Sequence, residues 1–250
     1  MPLPNYNVSE IQAKALDFAN DVISQVRRAM PYGAGNLALD VQNTGGASAV
    51  RTQRAYDAAS SVSQHVKPKV LAGIARKYGA GNCDMAGSMA YTLLRGKLDA
   101  RFEVMLILND GHTYAAFKFM DAPDSASIIV DPWPTSGMAT FAEHHFMGIP
   151  SDRPIIRKPG KCDPNIPPEE RTQLPAKYMV LANQIDADIQ QIESGQLSIS
   201  NGFTQYTNTL CSTVVGKYVA PNGTELPLPV ERPMLPPAMA PEAMDVDMES

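Results

Sequence analysis

The stretch from residue 83 to residue 131 constrains the fold most strongly, because one helical pattern is followed there by three strand patterns. In CDMAGSMAYTLLRG, Met85, Met89 and Leu93 recur every four residues, which is the period of a helix face. The segments RFEVMLIL, GHTYAAFKFM and SASIIVD that follow are rich in β-forming residues, and LNDG is a hairpin signal between the first two. The sequence therefore predicts an α+β fold in which a helix packs on an antiparallel sheet.

Two further helical patterns each end in the same pentapeptide, YGAGN, at residues 32–36 and 78–82. The first pattern begins with a capping box at Ser9 and Gln12 and ends before Pro31, and the second covers residues 67–77. The sequences after the two copies, LALDVQ and CDMAGS, do not align. The repeat therefore indicates one helix-ending turn used twice, not a duplicated domain.

The rest of the chain has weaker patterns. Residues 31–63 are rich in Gly, Ala and Ser and predict a loop or a loosely packed helical stretch. Residues 141–175 are proline-rich and are expected to be irregular, whereas apolar residues between Tyr178 and Ile192 predict one more amphipathic helix that ends at Gly195. The segment after about Pro221 is rich in Pro and Met, with acids at its end, and predicts a disordered tail.

These patterns predict three parts. Residues 1–65 form an N-terminal helix and loop region, whose start is a candidate secretion or translocation signal. Residues 66–220 form the main folded domain, with extra helices on the N- and C-terminal sides of the sheet. Residues 221–250 form the disordered, Pro/Met-rich acidic tail.

Composition excludes several classes of function. With 44% hydrophobic and 19% charged residues and a formal net charge of -5, the chain resembles an ordinary globular protein without a basic patch for nucleic acid. Three cysteines are an odd and sparse set, which favours free thiols over a disulfide framework. No window approaches the roughly 18 apolar residues of a membrane span, and the start lacks the pattern of a secretory signal peptide. We therefore expect synthesis in a cytosol and no membrane span.

Only the second YGAGN runs directly into a cysteine, Cys83, whereas Leu37 follows the first copy. The glycines allow a sharp turn from one helix into the next, which places Cys83 at a helix N-terminus. The positive dipole and free N–H groups of that end favour a thiolate and can hold an oxyanion. A lone cysteine is more often a core residue, but this turn favours a nucleophile.

Two later residues complete a catalytic pattern. A thiolate needs a base, and His112 lies at the start of the second predicted strand; Asp131, at the end of the third, can orient the imidazole. The Cys83 backbone N–H and the Asn82 side chain are candidate oxyanion donors, and Trp133 is either core packing or a wall of the site. Adjacent His144 and His145 diverge on a helix or strand, so we expect no zinc site and no cofactor.

The segments GNCDMAGSMAYTLL, DGHTYAAF and IIVDPWP resemble the three catalytic blocks of papain-like and transglutaminase-like thiol enzymes. The likeness is strongest to those among bacterial type III secretion effectors, such as the HopX (AvrPphE) group, and covers residues 79–134. It implies a papain-like or transglutaminase-like fold, with Cys83 as nucleophile, His112 as general base and acid, and Asp131 as the orienting carboxylate.

The resemblance also implies a biological setting. The protein would be made in a bacterial cytoplasm, bind a secretion chaperone, and be secreted into a host cell to act on a host protein as a cysteine protease, glutamine deamidase or transglutaminase. The sequence leaves these three outcomes open. The alternative is a non-enzymatic adaptor, with a decayed papain-like fold, that binds a host partner through its Pro-rich tail.

Overall fold

The chain folds into an α+β structure around a five-stranded antiparallel sheet. The computed structural model describes residues 5–62, 67–109, 111–151, 153, 155–197 and 217–226. The helices are α1 (Glu10–Ala29), α2 (Ala38–Asn43), α3 (Ala47–Val62), α4 (Pro68–Tyr78), α5 (Cys83–Lys97), α6 (Pro168–Arg171) and α7 (Met179–Glu193). The strands are β1 (Asn5–Asn7), β2 (Gly33–Ala34), β3 (Ala80–Gly81), β4 (Phe102–Asn109), β5 (His112–Phe119), β6 (Ile128–Val130), β7 (Thr140–Phe141), β8 (Ile155–Pro159) and β9 (Lys217–Val219).

The predicted meander forms the centre of the main sheet, whose strand order is β7-β6-β5-β4-β8. The prediction that residues 141–175 are irregular was wrong at β8, which pairs antiparallel with β4. Its Ile155 lies opposite Ile107 of β4, and its last residue, Pro159, lies opposite Glu103. Because β8 is an edge strand, the proline at its end removes no hydrogen bond that the sheet needs.

Helix α5 packs on one face of this sheet, as the sequence predicts. Its buried residues, among them Met85, Met89 and Leu93, join the larger hydrophobic core together with the buried face of α1. From the sheet, Val104 and Phe117 enter the same core. The opposite face carries a smaller cluster that contains the residues Met105, Ile107, Tyr114, Ala116, Ile129 and Ala142. The sheet is therefore covered on both faces, and α5 is fixed against its centre.

Of the predicted stretch 31–63, residues 31–62 are described and form the helices α2 and α3 over much of their length, so the loop alternative for this stretch was wrong. Helix α3 buries small residues, including Ala49, Ala55 and Ala59. Small side chains give a weak apolar period, which is why the pattern left the stretch unresolved. Their size also lets the α3 backbone approach its neighbours closely.

The remaining predicted helices are confirmed, and the two ends of the described chain meet. Helix α1 has the predicted capping box at Ser9, and α7 occupies the predicted amphipathic stretch. Strand β9 pairs in parallel with β1, and the backbone N–H of Leu226 donates to the carbonyl of Tyr218. The described structure therefore extends to Leu226, past the predicted boundary at Pro221, whereas residues 198–216 and residues 227–250 of the predicted tail lie outside the described residues. Among the described helices, none is long and apolar enough to cross a membrane.

Candidate active site

Cys83 is the first residue of α5. Helix α4 ends at Gly79 in the left-handed conformation, with φ of 67°, which glycine adopts without steric cost. Three residues later, Asn82 caps α5 by accepting a hydrogen bond from the Met85 N–H at 3.2 Å. This turn places the nearly buried Cys83 thiol against the β4–β5 hairpin, where Sγ lies 3.6 Å from the Gly111 carbonyl oxygen.

His112 and Asp131 meet beside this thiol. His112 is the first residue of β5, and its Nε2 lies 2.7 Å from Oδ2 of Asp131, which directly follows β6. Since Asp131 occupies Nε2, Nδ1 is the ring nitrogen left for proton exchange with a thiol. Within the described part of the chain, this buried Nδ1 has no hydrogen-bond partner. The structure therefore brings together the three residues that the sequence predicts as catalytic.

The electrostatics favour a charged His112–Asp131 pair. Burial opposes protonation of His112, but the charge of Asp131, its hydrogen bond and the neighbouring Cys83 together raise the pKa of the imidazole above its usual range. Burial would likewise raise the pKa of Asp131, yet the His112 charge and the hydrogen bonds from His112 and His145 hold it below the usual range. Both directions give an imidazolium beside a carboxylate at neutral pH, which is the partner that a thiolate requires.

Trp133 lies behind the imidazole. Its ring centroid is 4.7 Å from that of His112, and only 4% of the residue is exposed. The indole Nε1–H donates to Oδ1 of Asn36 at 2.9 Å, and the backbone N–H donates to Oδ1 of Asp131 at 3.3 Å. Trp133 is thus both a core residue and a wall against the His112 ring.

The candidate oxyanion donors lie at the start of α5. The Cys83 N–H is one of the first backbone donors of the helix, which have no partner within the helix. The Asn82 side chain already accepts the capping bond, and its Nδ2 lies 3.4 Å from Oδ2 of Asp84. The backbone N–H is therefore the better placed of the two for an oxyanion.

Sequence reasoning missed a bond that ties α5 to β5. The hydroxyl of Thr113 donates to Oδ1 of Asp84 at 2.5 Å. Because Asp84 follows Cys83 and Thr113 follows His112, this bond fixes the two candidate catalytic segments to each other. A carboxylate in the first turn also suits the positive end of the α5 dipole. The sequence marked Asp84 and Thr113 only by their positions next to the predicted residues Cys83 and His112.

The two adjacent histidines do diverge, but one of them belongs to the site. His145 Nε2 lies 3.4 Å from Oδ2 of Asp131, whereas His144 Nδ1 lies 2.8 Å from the Tyr218 hydroxyl. Sequence reasoning considered the pair only as metal ligands and missed this contact. Among the described residues, no group of three or more His, Cys, Asp or Glu side chains is arranged to hold a metal ion.

A cavity of about 780 Å³ lies between β1, α1 and the sheet, and another of about 730 Å³ lies beside the start of α5. The second is lined by residues on both sides of Cys83 and by apolar side chains, including Asn82, Asp84, Met85, Leu106, Leu108 and Ile156. Of these two cavities, the second is lined by Asn82 and Asp84, which flank Cys83, and by Thr113, which follows His112. Of the other thiols, Cys162 is exposed, and Cys211 lies outside the described residues.

Comparison with known proteins found no matching family model, no matching curated protein and no matching solved structure.

Proposed function

We propose that this protein is a papain-like or transglutaminase-like thiol enzyme that catalyses acyl transfer through Cys83, His112 and Asp131. The observation that carries the proposal is the buried contact of 2.7 Å between His112 Nε2 and Asp131 Oδ2, with Cys83 beside the same imidazole at a helix N-terminus. A structural cysteine needs neither an oriented imidazole nor a helix start. The combination is the arrangement of an activated nucleophile.

In the proposed reaction, the Cys83 thiolate attacks a carboxamide or peptide carbonyl and forms a sulfur–carbon bond. The Cys83 N–H donates to the resulting oxyanion. The carbon–nitrogen bond then breaks as His112 gives its proton to the leaving amine or ammonia, which leaves a thioester on Cys83. Asp131 holds the imidazole in one tautomer throughout.

The second half of the reaction decides the outcome. Water gives proteolysis or glutamine deamidation, whereas a lysine amine gives a cross-link. In either case His112 takes a proton from the attacking group, the new bond to the carbonyl carbon forms, and the sulfur–carbon bond breaks to regenerate the thiolate. The cavity beside α5 supports a protein segment as the acyl donor, since it combines an apolar lining with polar groups next to Cys83.

The resemblance to type III secretion effectors adds a setting to this proposal. The substrate would be a host protein, met after the chain is secreted from the bacterial cytoplasm into a host cell. The competing proposal is an adaptor that binds a host partner through the fold and the tail, without using Cys83.

Thiol reactivity tests the proposed enzyme before any substrate is known. We expect limiting iodoacetamide near pH 7 to alkylate Cys83 in the native protein before Cys162. In His112→Ala, the rate at Cys83 should fall by about 30-fold, because an unassisted thiol is only a few per cent ionised at neutral pH. Peptide mass spectrometry after timed quenching measures both rates in one sample, with Cys162 as the internal reference.

The result that contradicts the enzyme is equally specific. If native Cys83 reacts no faster than Cys162, or if His112→Ala leaves its rate unchanged while the protein remains folded, the thiol is not activated. The adaptor is then the better account of the fold.

A further inference from the structure

A second imidazole reaches the candidate catalytic carboxylate. His145 follows a short 3-10 helix, Ala142–His144, and its side chain is fully buried. Its Nε2 lies 3.4 Å from Oδ2 of Asp131, the same oxygen that His112 contacts at 2.7 Å. The candidate triad therefore has a fourth member within hydrogen-bonding distance of its acid.

The surroundings of His145 fix its tautomer. The backbone N–H of Met147 donates to His145 Nδ1 at 3.3 Å, so Nδ1 acts as an acceptor and carries no proton. In the neutral ring the proton is then on Nε2, which faces Asp131. His145 therefore presents an Nε2–H donor to the carboxylate.

The segment that carries His145 is anchored to the hairpin that carries His112. The Tyr114 hydroxyl donates to the Gly148 carbonyl at 2.6 Å, and Asn109 Nδ2 lies 3.4 Å from the Met147 carbonyl oxygen. The Tyr114 ring also packs against the His145 ring, with centroids 4.7 Å apart. The position of His145 is thus set by the same two strands that set the position of His112.

Three donors hold Asp131 at both of its oxygens. The Trp133 N–H donates to Oδ1, while His112 and His145 both contact Oδ2. A carboxylate that is 1% exposed requires such donors to remain ionised, and with both oxygens engaged it has one orientation. Without His145, His112 would be the one donor to Oδ2 among the described residues, and the Trp133 N–H on Oδ1 would be the one donor that orients the carboxylate independently of His112.

We propose that His145 is a positioning residue: its Nε2–H holds Asp131 so that the carboxylate keeps His112 aligned with Cys83. This inference rests on the proposed thiol-enzyme function, because His145 acts only through Asp131. It adds to the triad a residue that touches neither the nucleophile nor the substrate. Among the described residues, the Tyr114 ring also packs against the His145 ring, and His112 shares the Oδ2 of Asp131 with His145.

The test compares three variants of the full chain. His145→Leu removes the donor, and His145→Gln returns an amide N–H at a similar reach. His144→Leu is the matched control, because the neighbouring imidazole contacts Tyr218 instead of Asp131. Two quantities are measured: the NMR signal of the His112 Nε2 proton in the bond to Asp131, and the rate of Cys83 alkylation at neutral pH. Circular dichroism establishes that each variant is folded.

We expect His145→Leu to shift the His112 Nε2 proton signal and to slow Cys83 alkylation about tenfold, which is the typical effect of one hydrogen bond to a charged group. His145→Gln should restore both quantities, and His144→Leu should leave both near the wild-type values. The inference is overturned if folded His145→Leu keeps the wild-type signal and rate. It is also overturned if His145→Gln behaves like His145→Leu, since shape and not the donor would then matter.

The two readouts separate this inference from the proposed function. If wild-type Cys83 is no more reactive than Cys162, the thiol-enzyme proposal fails, yet the NMR signal still reports whether His145 controls the His112–Asp131 bond. If Cys83 is activated but His145→Leu changes nothing, the enzyme stands and the positioning role falls.

Discussion

The two copies of YGAGN lie side by side and yet serve the molecule differently. Strand β2 from the first copy pairs in parallel with β3 from the second, with Gly33 opposite Ala80 and Ala34 opposite Gly81. The first glycine of each copy, Gly33 or Gly79, has a positive φ, so the backbone turns alike in both. The second copy leads into α5 and Cys83, whereas the first leads into the short α2 through the buried Leu37.

The first copy holds the segment that follows Asp131. Its Asn36 accepts the indole N–H of Trp133, and Asp40 accepts both the Ala34 N–H at 2.7 Å and the Thr135 hydroxyl at 3.1 Å. The second copy presents the candidate nucleophile, and the first supports the wall behind the imidazole that would activate it. The same local turn thus contributes to the candidate site twice. The second copy positions Cys83, and the first copy holds Trp133 in place.

Helix α3 joins the two copies. The Thr52 hydroxyl accepts the Gly35 N–H at 2.9 Å and donates to the Gly81 carbonyl at 3.2 Å, so it links the corresponding glycines of the two pentapeptides. Arg51 adds a second link, because it donates to the Tyr78 carbonyl and stacks over the Tyr32 ring. The stretch that gave the weakest sequence pattern is therefore what holds the repeat together.

The largest expected loss of stability comes from a substitution that adds atoms at the tight contact between the first copy and α3. A Cβ added at Gly35 would lie 2.5 Å from the Ser48 carbonyl oxygen and 2.6 Å from the Ala49 Cα, both of which are helix backbone. Because backbone cannot move aside as a side chain can, we expect Gly35→Ala to lower the free energy of unfolding by about 3 kcal/mol. Urea-induced unfolding measures the loss.

The corresponding glycine of the second copy is the matched control. A Cβ at Gly81 would meet the Met85 Cβ at 2.8 Å, which α5 holds in place, and the Met85 Sδ and Met30 Cε at 2.9 and 3.1 Å, which can shift; no backbone atom is among these contacts. We expect Gly81→Ala to lower the free energy of unfolding by about 1 kcal/mol. Equal losses for the two variants would show that the packing of α3 against the first copy is not the tighter contact.

An intermediate effect should follow from cutting the link through Thr52. Thr52→Val keeps the shape of the side chain but leaves the buried Gly35 N–H without its acceptor, which costs about 2 kcal/mol of unfolding free energy. Thr52→Ser keeps the hydroxyl and should lose less. If Thr52→Val is as stable as wild type in urea unfolding, the two copies are held together by their own pairing and not by α3.

The parts of the site that the sequence predicts are those set by local pattern. Helix α5 and the β4–β5 hairpin follow from period and turn chemistry, and these elements place Cys83 and His112 at adjoining ends. Asp131 follows because it ends the next strand of the meander. The chain needs no distant contact to specify this order.

The parts that escape prediction depend on contacts between distant segments. The pairing of β2 with β3 joins residues far apart in sequence, and His145 reaches Asp131 from a segment whose local pattern is irregular. Strand β8 was missed because its few apolar residues lie in a proline-rich segment, and proline is typical of irregular structure. None of these features is marked by a periodic pattern in the nearby sequence, so they can be identified only from the folded structure.

The smallest expected losses of stability come from substituting the final asparagine of each copy. These two variants distinguish the roles of the copies most clearly, because the two asparagines have different hydrogen-bond partners. Asn82→Ala removes the N-cap of α5, and Asn36→Ala removes the acceptor of the Trp133 indole. We expect each to lower the free energy of unfolding by about 1 kcal/mol. Their reporters differ: Trp133, the only tryptophan in the chain, should change its fluorescence emission in Asn36→Ala, and Cys83 should change its alkylation rate in Asn82→Ala.

Measuring both reporters in both variants completes the comparison. If the first copy supports Trp133 and the second presents Cys83, each substitution moves its own reporter more than the other, and the double variant shows the sum of the two stability losses. A change of Trp133 emission in Asn82→Ala as large as in Asn36→Ala would mean that the two turns move together. The paired β2 and β3 strands would then act as one unit, because a disturbance at one asparagine would pass through their shared backbone hydrogen bonds to the other.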